Sequence, residues 1–226
     1  MKVDVLYQPA YAVARVTLAN GEPIRADSGA MVAMDSQIQI ETKATGGFLK
    51  SISRSMLGGE SFFQNTFTSS ADGGQIFFAP DLPGDIITHE LTGSDLLVQS
   101  GSYLVSDVNV QVDSKWGGAK TFFGGEGLFM LRCSGQGTLV MASFGAIHKA
   151  TLEAGQRYTV DTGHIVAFPG GMQYGVRKVG NWKSTIFGGE GLVVDFTGPG
   201  DVFLQTRSPE SFLGWLIPNL PKNSNN

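Results

Sequence analysis

The chain has 226 residues, a formal net charge of −4 and only 16% charged residues, where an average soluble protein has about 25%. The acidic balance argues against a protein that works by neutralising nucleic-acid phosphates or anionic headgroups, so no DNA partner is expected and RNA is disfavoured. The single cysteine, Cys133, excludes an intramolecular disulfide and a CxxC metal knuckle.

From the N-terminus, Asp4 stands where a secretory or transit segment needs otherwise, and no stretch approaches 18 apolar residues. The expectation is a soluble, cytoplasmic protein in a reducing compartment. Next comes self-similarity. Gly-Gly-Glu occurs at Gly58 to Glu60, Gly124 to Glu126 and Gly188 to Glu190. A glycine pair runs in step with it, at Gly21/Gly29, Gly93/Gly101 and Gly155/Gly163, and so do the strings DGGQIFFA, GQGTLVMA and GPGDVFLQ. Three markers in one order define an internal repeat, with copies over 13–80, 85–143 and 146–208. The joints between copies are too short for independent beads, so residues 1–208 read as one compact body, followed by a tail over 209–226.

Within each copy the apolar residues alternate. Copy one has Ile24, Ala26, Met31, Ala33 and Ile38/Ile40; a helical spacing of Leu49, Ile52 and Met56 follows, predicting a helix over Phe48 to Leu57 that Gly58 ends. Copy two alternates at Leu96, Val98, Tyr103, Val105 and Val108/Val110/Val112. Copy three does so at Tyr158, Val160, Ile165 and Ala167, then at Val193, Phe196, Val202 and Leu204. Period two interrupted by turns every 8 to 12 positions predicts an all-β antiparallel sandwich or barrel. In the tail, Phe212, Leu213, Trp215, Leu216 and Ile217 form an apolar cluster bounded by Pro218 and Pro221. It reads as a short segment docked on the body; the sharper reading is a protein or membrane-surface contact through Phe212, Trp215 and Leu216.

Three strings carry a resemblance: GEPIRADSGAMVAMD at 21–35, FLKSISRSMLGGESFF at 48–63 and GGQIFFAPDLPGDI at 73–86. They resemble a widespread prokaryotic family of unknown function whose eukaryotic relatives are named for altered inheritance of mitochondria, or mitochondrial biogenesis. The resemblance runs from Tyr7 to about Arg207. It implies three repeats, each similar to a subunit of the tryptophan RNA-binding attenuation protein, a double-stranded β-helix or jelly-roll unit known for ring-like assemblies. It supplies no catalytic residues.

The chemistry-bearing residues are sparse. His89, His148 and His164 show no HxH or HxxxH spacing, so surface or hydrogen-bonded histidines are expected rather than a metal site. There is no GxSxG elbow and no GxxxxGK[ST] loop, and Cys133 reads as a small buried thiol. The recurring motif is the Gly-Gly-Glu turn, with Arg54, Lys120 or Lys183 preceding Glu60, Glu126 or Glu190 by six or seven residues. Its structural reading is a turn in which glutamate accepts N–H bonds or pairs with that base; its functional reading is three carboxylates gathered on an axis to bind a cation or basic partner. No enzyme activity, metal or cofactor is expected. The sequence points to a non-enzymatic oligomeric β scaffold or binding protein, with a small-ligand or RNA binder like the attenuation protein as the alternative. Low charge on a protein with strand edges at both ends predicts a closed homo-oligomer, with a trimer favoured.

Overall fold

Strand β2 (Val13–Leu18) shows why the alternating stretches become strands. Ala14, Val16 and Leu18 are buried while Val13, Arg15 and Thr17 are half-buried, the two faces that a pleated backbone separates. The computed structural model describes residues 1–41, 62–114, 129–179 and 192–221. The helix expected over 48–57 lies outside the described residues, as do the three Gly-Gly-Glu turns.

After β1 (Lys2–Leu6), the strands fall into three sets of one pattern. The first set is β2, β3 (Pro23–Asp27), β4 (Met31–Met34), β5 (Ile38–Glu41), β6 (Gln64–Ser69) and β7 (Gly74–Phe78). The second is β8 (Ile86–Thr92), β9 (Leu96–Gln99), β10 (Tyr103–Asp107), β11 (Val110–Asp113) and β12 (Met130–Ala142), which is long enough to serve twice. The third is β13 (Ile147–Leu152), β14 (Arg157–Asp161), β15 (Ile165–Pro169), β16 (Gln173–Lys178), β17 (Leu192–Thr197) and β18 (Gly200–Gln205). All named pairs are antiparallel, and the protein is an all-β, multi-sheet body.

In each set the last strand lies between the first and the third: β2-β7-β4, β8-β12-β10 and β13-β18-β15. The fifth lies between the second and the fourth: β3-β6-β5, β9-β12-β11 and β14-β17-β16. Two seams join the sets, β3 to β10 and β9 to β15. The seams build two long sheets, ordered β5-β6-β3-β10-β12-β8 and β11-β12-β9-β15-β18-β13, with different halves of β12 in each. Two shorter sheets remain, β1-β2-β7-β4 and β14-β17-β16.

Each set has its own apolar cluster, and all three borrow residues across a seam, the third taking Leu97 and Met130 from the second set. The first gathers Val16, Ile24, Phe67 and Phe78 with Leu104 and Val105 of the second set. The second gathers Leu96, Tyr103, Cys133 and Leu139 with Val166 and Ala167 of the third. The third centres on Val160, Phe168, Phe196 and Val202. Edge-to-face ring pairs, Phe67 on Phe78 at 5.2 Å and Phe168 on Phe196 at 4.9 Å, sit in the first and third.

The leading glycines of the repeated pairs, Gly21, Gly93 and Gly155, have φ between 73° and 110° and close the turn from the first strand of each set to the second. The tail is a helix, α1 (Pro209–Asn219). Ser208 caps it through its side chain, Pro209 opens its first turn, and none of its residues is fully buried.

The joints are tight. Gly84 and Gly145 form a parallel bridge, with Asp85 N–H donating to Gly145 O and Gly145 N–H to Pro83 O, both at 2.9 Å. A Cβ on Gly84 would lie 1.6 Å from the Ser143 carbonyl oxygen, so any side chain there must push the backbones apart. Gly84→Ala should therefore cost about 3 kcal/mol of stability, as overpacking does at its upper range. Gly171→Ala, whose Cβ meets nothing within 4 Å, should shift stability by less than about 0.5 kcal/mol. Urea unfolding of the two variants checks this; equal midpoints would mean that the joint is loose.

Candidate functional site

None of the repeat-turn residues singled out in the sequence, Arg54, Glu60, Lys120, Glu126, Lys183 and Glu190, lies among the described residues. The tail residues do. Phe212 packs edge-to-face on Phe144 at 5.7 Å and stacks with Trp215 at 6.4 Å; Phe212 and Leu216, four apart, are half-buried, while Leu213, Trp215 and Ile217 are exposed.

The three histidines do different things. His89 lies edge-to-face on Phe203 at 5.9 Å, and burial holds its pKa below the usual value. The Nδ1 of His164 is 2.8 Å from the carbonyl oxygen of Gln205, and His148 is exposed on β13. Among the described residues no three His, Cys, Asp or Glu side chains converge as a metal site would need. Cys133 is buried in the second cluster, where burial pushes its thiol up to about 12. A thiol so protonated at neutral pH is no ready nucleophile.

Two concavities open on the body. One, of about 510 Å³, lies over the sheet β14-β17-β16 and is lined by alternate residues of one face, Arg157 and Thr159, Gln173 and Arg177, Asp195 and Thr197. Asp195 accepts from Arg177 Nε at 2.5 Å and from Thr159 Oγ1 at 2.6 Å, and the guanidinium holds its carboxyl below the usual range. The other, of about 230 Å³, lies where the three sets meet, lined by Asp27, Asp81, Gln99, Tyr103, Ser143 and Gln205.

Tyr103 ties the β3–β10 seam together from inside. Its buried hydroxyl donates to the Arg25 carbonyl at 3.3 Å, accepts from Gln64 Nε2 at 2.7 Å and lies 2.8 Å from Ser106 Oγ. Burial pushes its pKa up. Sequence reasoning took Tyr103 only as an apolar member of an alternating strand. The signal was its place in the repeat, since Met31 and Ile165 stand at the start of the corresponding strands and carry no polar end.

Among the described residues the two short sheets end in strands without a second neighbour: β4 pairs only with β7, and β14 only with β17. Every residue of β4 is exposed, including Met31, Val32 and Met34, whereas β10 and β15, third strands of the other sets, are buried over their first four residues.

At the 230 Å³ cavity, burial pushes Asp27 up to about 6, with the charge of Asp81 adding to the rise and the Ser28 N–H opposing it. A carboxyl whose pKa is higher folded than unfolded favours the fold while protonated. That contribution is complete below about pH 4 and is lost as pH rises through about 6. Asp27→Asn stays neutral. Relative to the native chain it should therefore gain stability between pH 4 and 7, by about 1–2 kcal/mol once solvent screening of a partly exposed group is allowed for. Urea midpoints across that range test it, and parallel curves for the two proteins would refute the assignment.

Comparison with known proteins places this architecture. A protein-family model described as Mitochondrial biogenesis AIM24 matches residues 3–207. An uncharacterized protein of Streptococcus pyogenes serotype M6 is 32% identical over 223 residues, covering 95% of this chain and 89% of its own length. An X-ray crystal structure of a Streptococcus pyogenes protein superposes with a TM-score of 0.80 at 29% identity, covering 97% of this chain and 99% of that one. With the match running across all three strand sets, the chain belongs to the mitochondrial biogenesis AIM24 family.

Proposed function

We propose that the protein is a non-enzymatic β scaffold that works as a closed homo-oligomer, a trimer of chains built from units like those of the tryptophan RNA-binding attenuation protein. One observation carries the reading: of the strands at the two seam positions of the repeat, β3, β9 and β14 and β4, β10 and β15, only β4 and β14 have an outer edge with no partner among the described residues. An open edge offers a row of unpaired N–H and C=O groups to any strand that meets it, and proteins shield such edges by charge, proline or a covering segment. Among the described residues strand β4 has none of these defences. Its sequence is Met-Val-Ala-Met, and it is exposed throughout.

The low charged fraction of 16% supports the same reading, because a monomer relying on its surface charge for solubility would carry more. The buried, protonated Cys133 and the separate settings of the three histidines support a non-catalytic role. The lone buried thiol also suits a reducing cytoplasm. Among the described residues no helix is long and apolar enough to cross a membrane.

Size-exclusion chromatography with light scattering decides. A mass of about three times the 24.0 kDa chain at micromolar concentration is expected. A 24.0 kDa species persisting at that concentration would refute the oligomeric reading.

A further inference from the structure

The two seams inside the chain obey one rule. In the first, Ala26 of β3 stands opposite Val105 of β10, Arg25 opposite Ser106 and Ile24 opposite Asp107. In the second, Val98 of β9 stands opposite Ala167 of β15, Leu97 opposite Phe168 and Leu96 opposite Pro169. Each time the second strand of one set meets the third strand of the next, antiparallel. The register is the same by two independent markers. Ala26 and Val98 each lie three residues before the later glycine of their pair, Gly29 and Gly101. Val105 and Ala167 each follow a bulge in the pairing of their strand with its other neighbour.

Both markers recur at the free ends. Val160 of β14 lies three residues before Gly163. Ala33 of β4 follows a bulge against β7, between Met31 and Ala33. The short sheets have the make-up of two halves of a further long sheet: among the described residues β14-β17-β16 has no third strand beside β14, and β4-β7-β2 has no second strand beside β4. We infer that β4 of one copy pairs antiparallel with β14 of another, with the partner's Ala33 opposite Val160, the partner's Met34 opposite Thr159 and the partner's Asp35 opposite Tyr158.

Apolar packing gives the same answer independently of the backbone. The residue inside the bulge is Leu104 in β10 and Val166 in β15. Leu104 is 2% exposed within the first set's cluster and Val166 is 0% exposed within the second set's, so each crosses its seam to fill the core of the preceding set. The corresponding residue of β4 is Val32, which is 61% exposed. The third cluster, around Val160 and Phe196, takes Leu97 and Met130 from the second set but, among the described residues, no third-strand bulge residue from a following set. Val32 of a neighbouring copy is an apolar side chain of the right kind in the right register. The occupant of each edge is therefore a second copy of this chain, and the contact is heterologous, joining different surfaces of the two copies.

This pairing rests on the oligomeric reading and is tested so that the two can fail separately. Met34→Cys with Thr159→Cys places two thiols directly opposite across the inferred seam, at the Cα separation a disulfide needs. Cys133, the only native cysteine, is buried and is not expected to compete. Diamide oxidation should join chains into covalent multimers on a non-reducing gel, in at least tenfold greater yield than for either single variant. Met34→Cys with Arg157→Cys, displaced by two residues along β14, should give the background yield. An assembly seen by light scattering without in-register cross-linking overturns the pairing and leaves the oligomer standing; a monomer overturns both. A second variant avoids reliance on cysteines. Val32→Lys puts a charge on a residue exposed in the single chain, so the melting of the isolated chain should be unchanged while the assembly falls to 24.0 kDa chains. An assembly mass unaffected by Val32→Lys overturns the pairing.

Discussion

Backbone N–H and C=O groups along a strand need partners, and the rest of this structure depends on how the seam strands find them. Each set alone is a small sandwich of two three-stranded sheets, and its second and third strands are the edges that seams use. Joining β3 to β10 and β9 to β15 turns four such edges into the interior of two long sheets. The same joining lets Leu104 and Val166 leave their own sets and close the clusters of their neighbours. Hydrogen-bond satisfaction and apolar burial are thus achieved in a single step, which is why the sets do not behave as separate beads on a chain.

The seams are adapted locally without losing that logic. In the first and third sets a phenylalanine of the fifth strand, Phe67 or Phe196, fills the cluster and meets another ring edge-on. In the second set the residue opposite Leu96 is Cys133, far smaller, and the aromatic bulk comes instead from Tyr103 on the third strand, packed edge-to-face against Phe62 at 5.2 Å. The source of aromatic bulk thus moves from one strand to another, in keeping with the close packing of protein interiors. The tyrosine brings a hydroxyl into the core, and its three polar neighbours Gln64, Arg25 and Ser106 meet the need of that hydroxyl for partners.

Period-two alternation made the strands legible from the sequence, as at Leu96/Val98 and Tyr158/Val160, because it is a local consequence of the pleat. The turn glycines were legible for the same reason: Gly21, Gly93 and Gly155 adopt a backbone conformation that other residues resist. Which strand lies beside which was not legible, since β3 meets β10 only after the intervening chain has folded back. The raised pKa of Asp27 was hidden in the same way, for it depends on burial and on Asp81, which the chain brings near from another joint. The tail was half legible. Its apolar content was plain, but Ser208 as a cap and Pro209 as an opening residue were the helix signals, and proline at Pro218 drew attention to the other end.

The direction of the inferred contact limits what the protein can form. A two-fold dimer would place β4 against β4 or β14 against β14, and in neither case would Val32 reach the cluster around Val160 in the way Leu104 and Val166 reach theirs. Only β4 against β14 reproduces the seam already made twice in the chain. Such a contact consumes one edge of each type with every copy added, and always leaves one of each at the ends until the two ends meet. An open chain of copies would keep exposing Met31, Val32 and Met34 at its growing tip, on a surface with little charge to discourage further addition. Closure removes the last exposed pair. In the inferred assembly a ring would be the form in which every β4 and every β14 is covered, using the same kind of seam that holds the three sets of a single chain together.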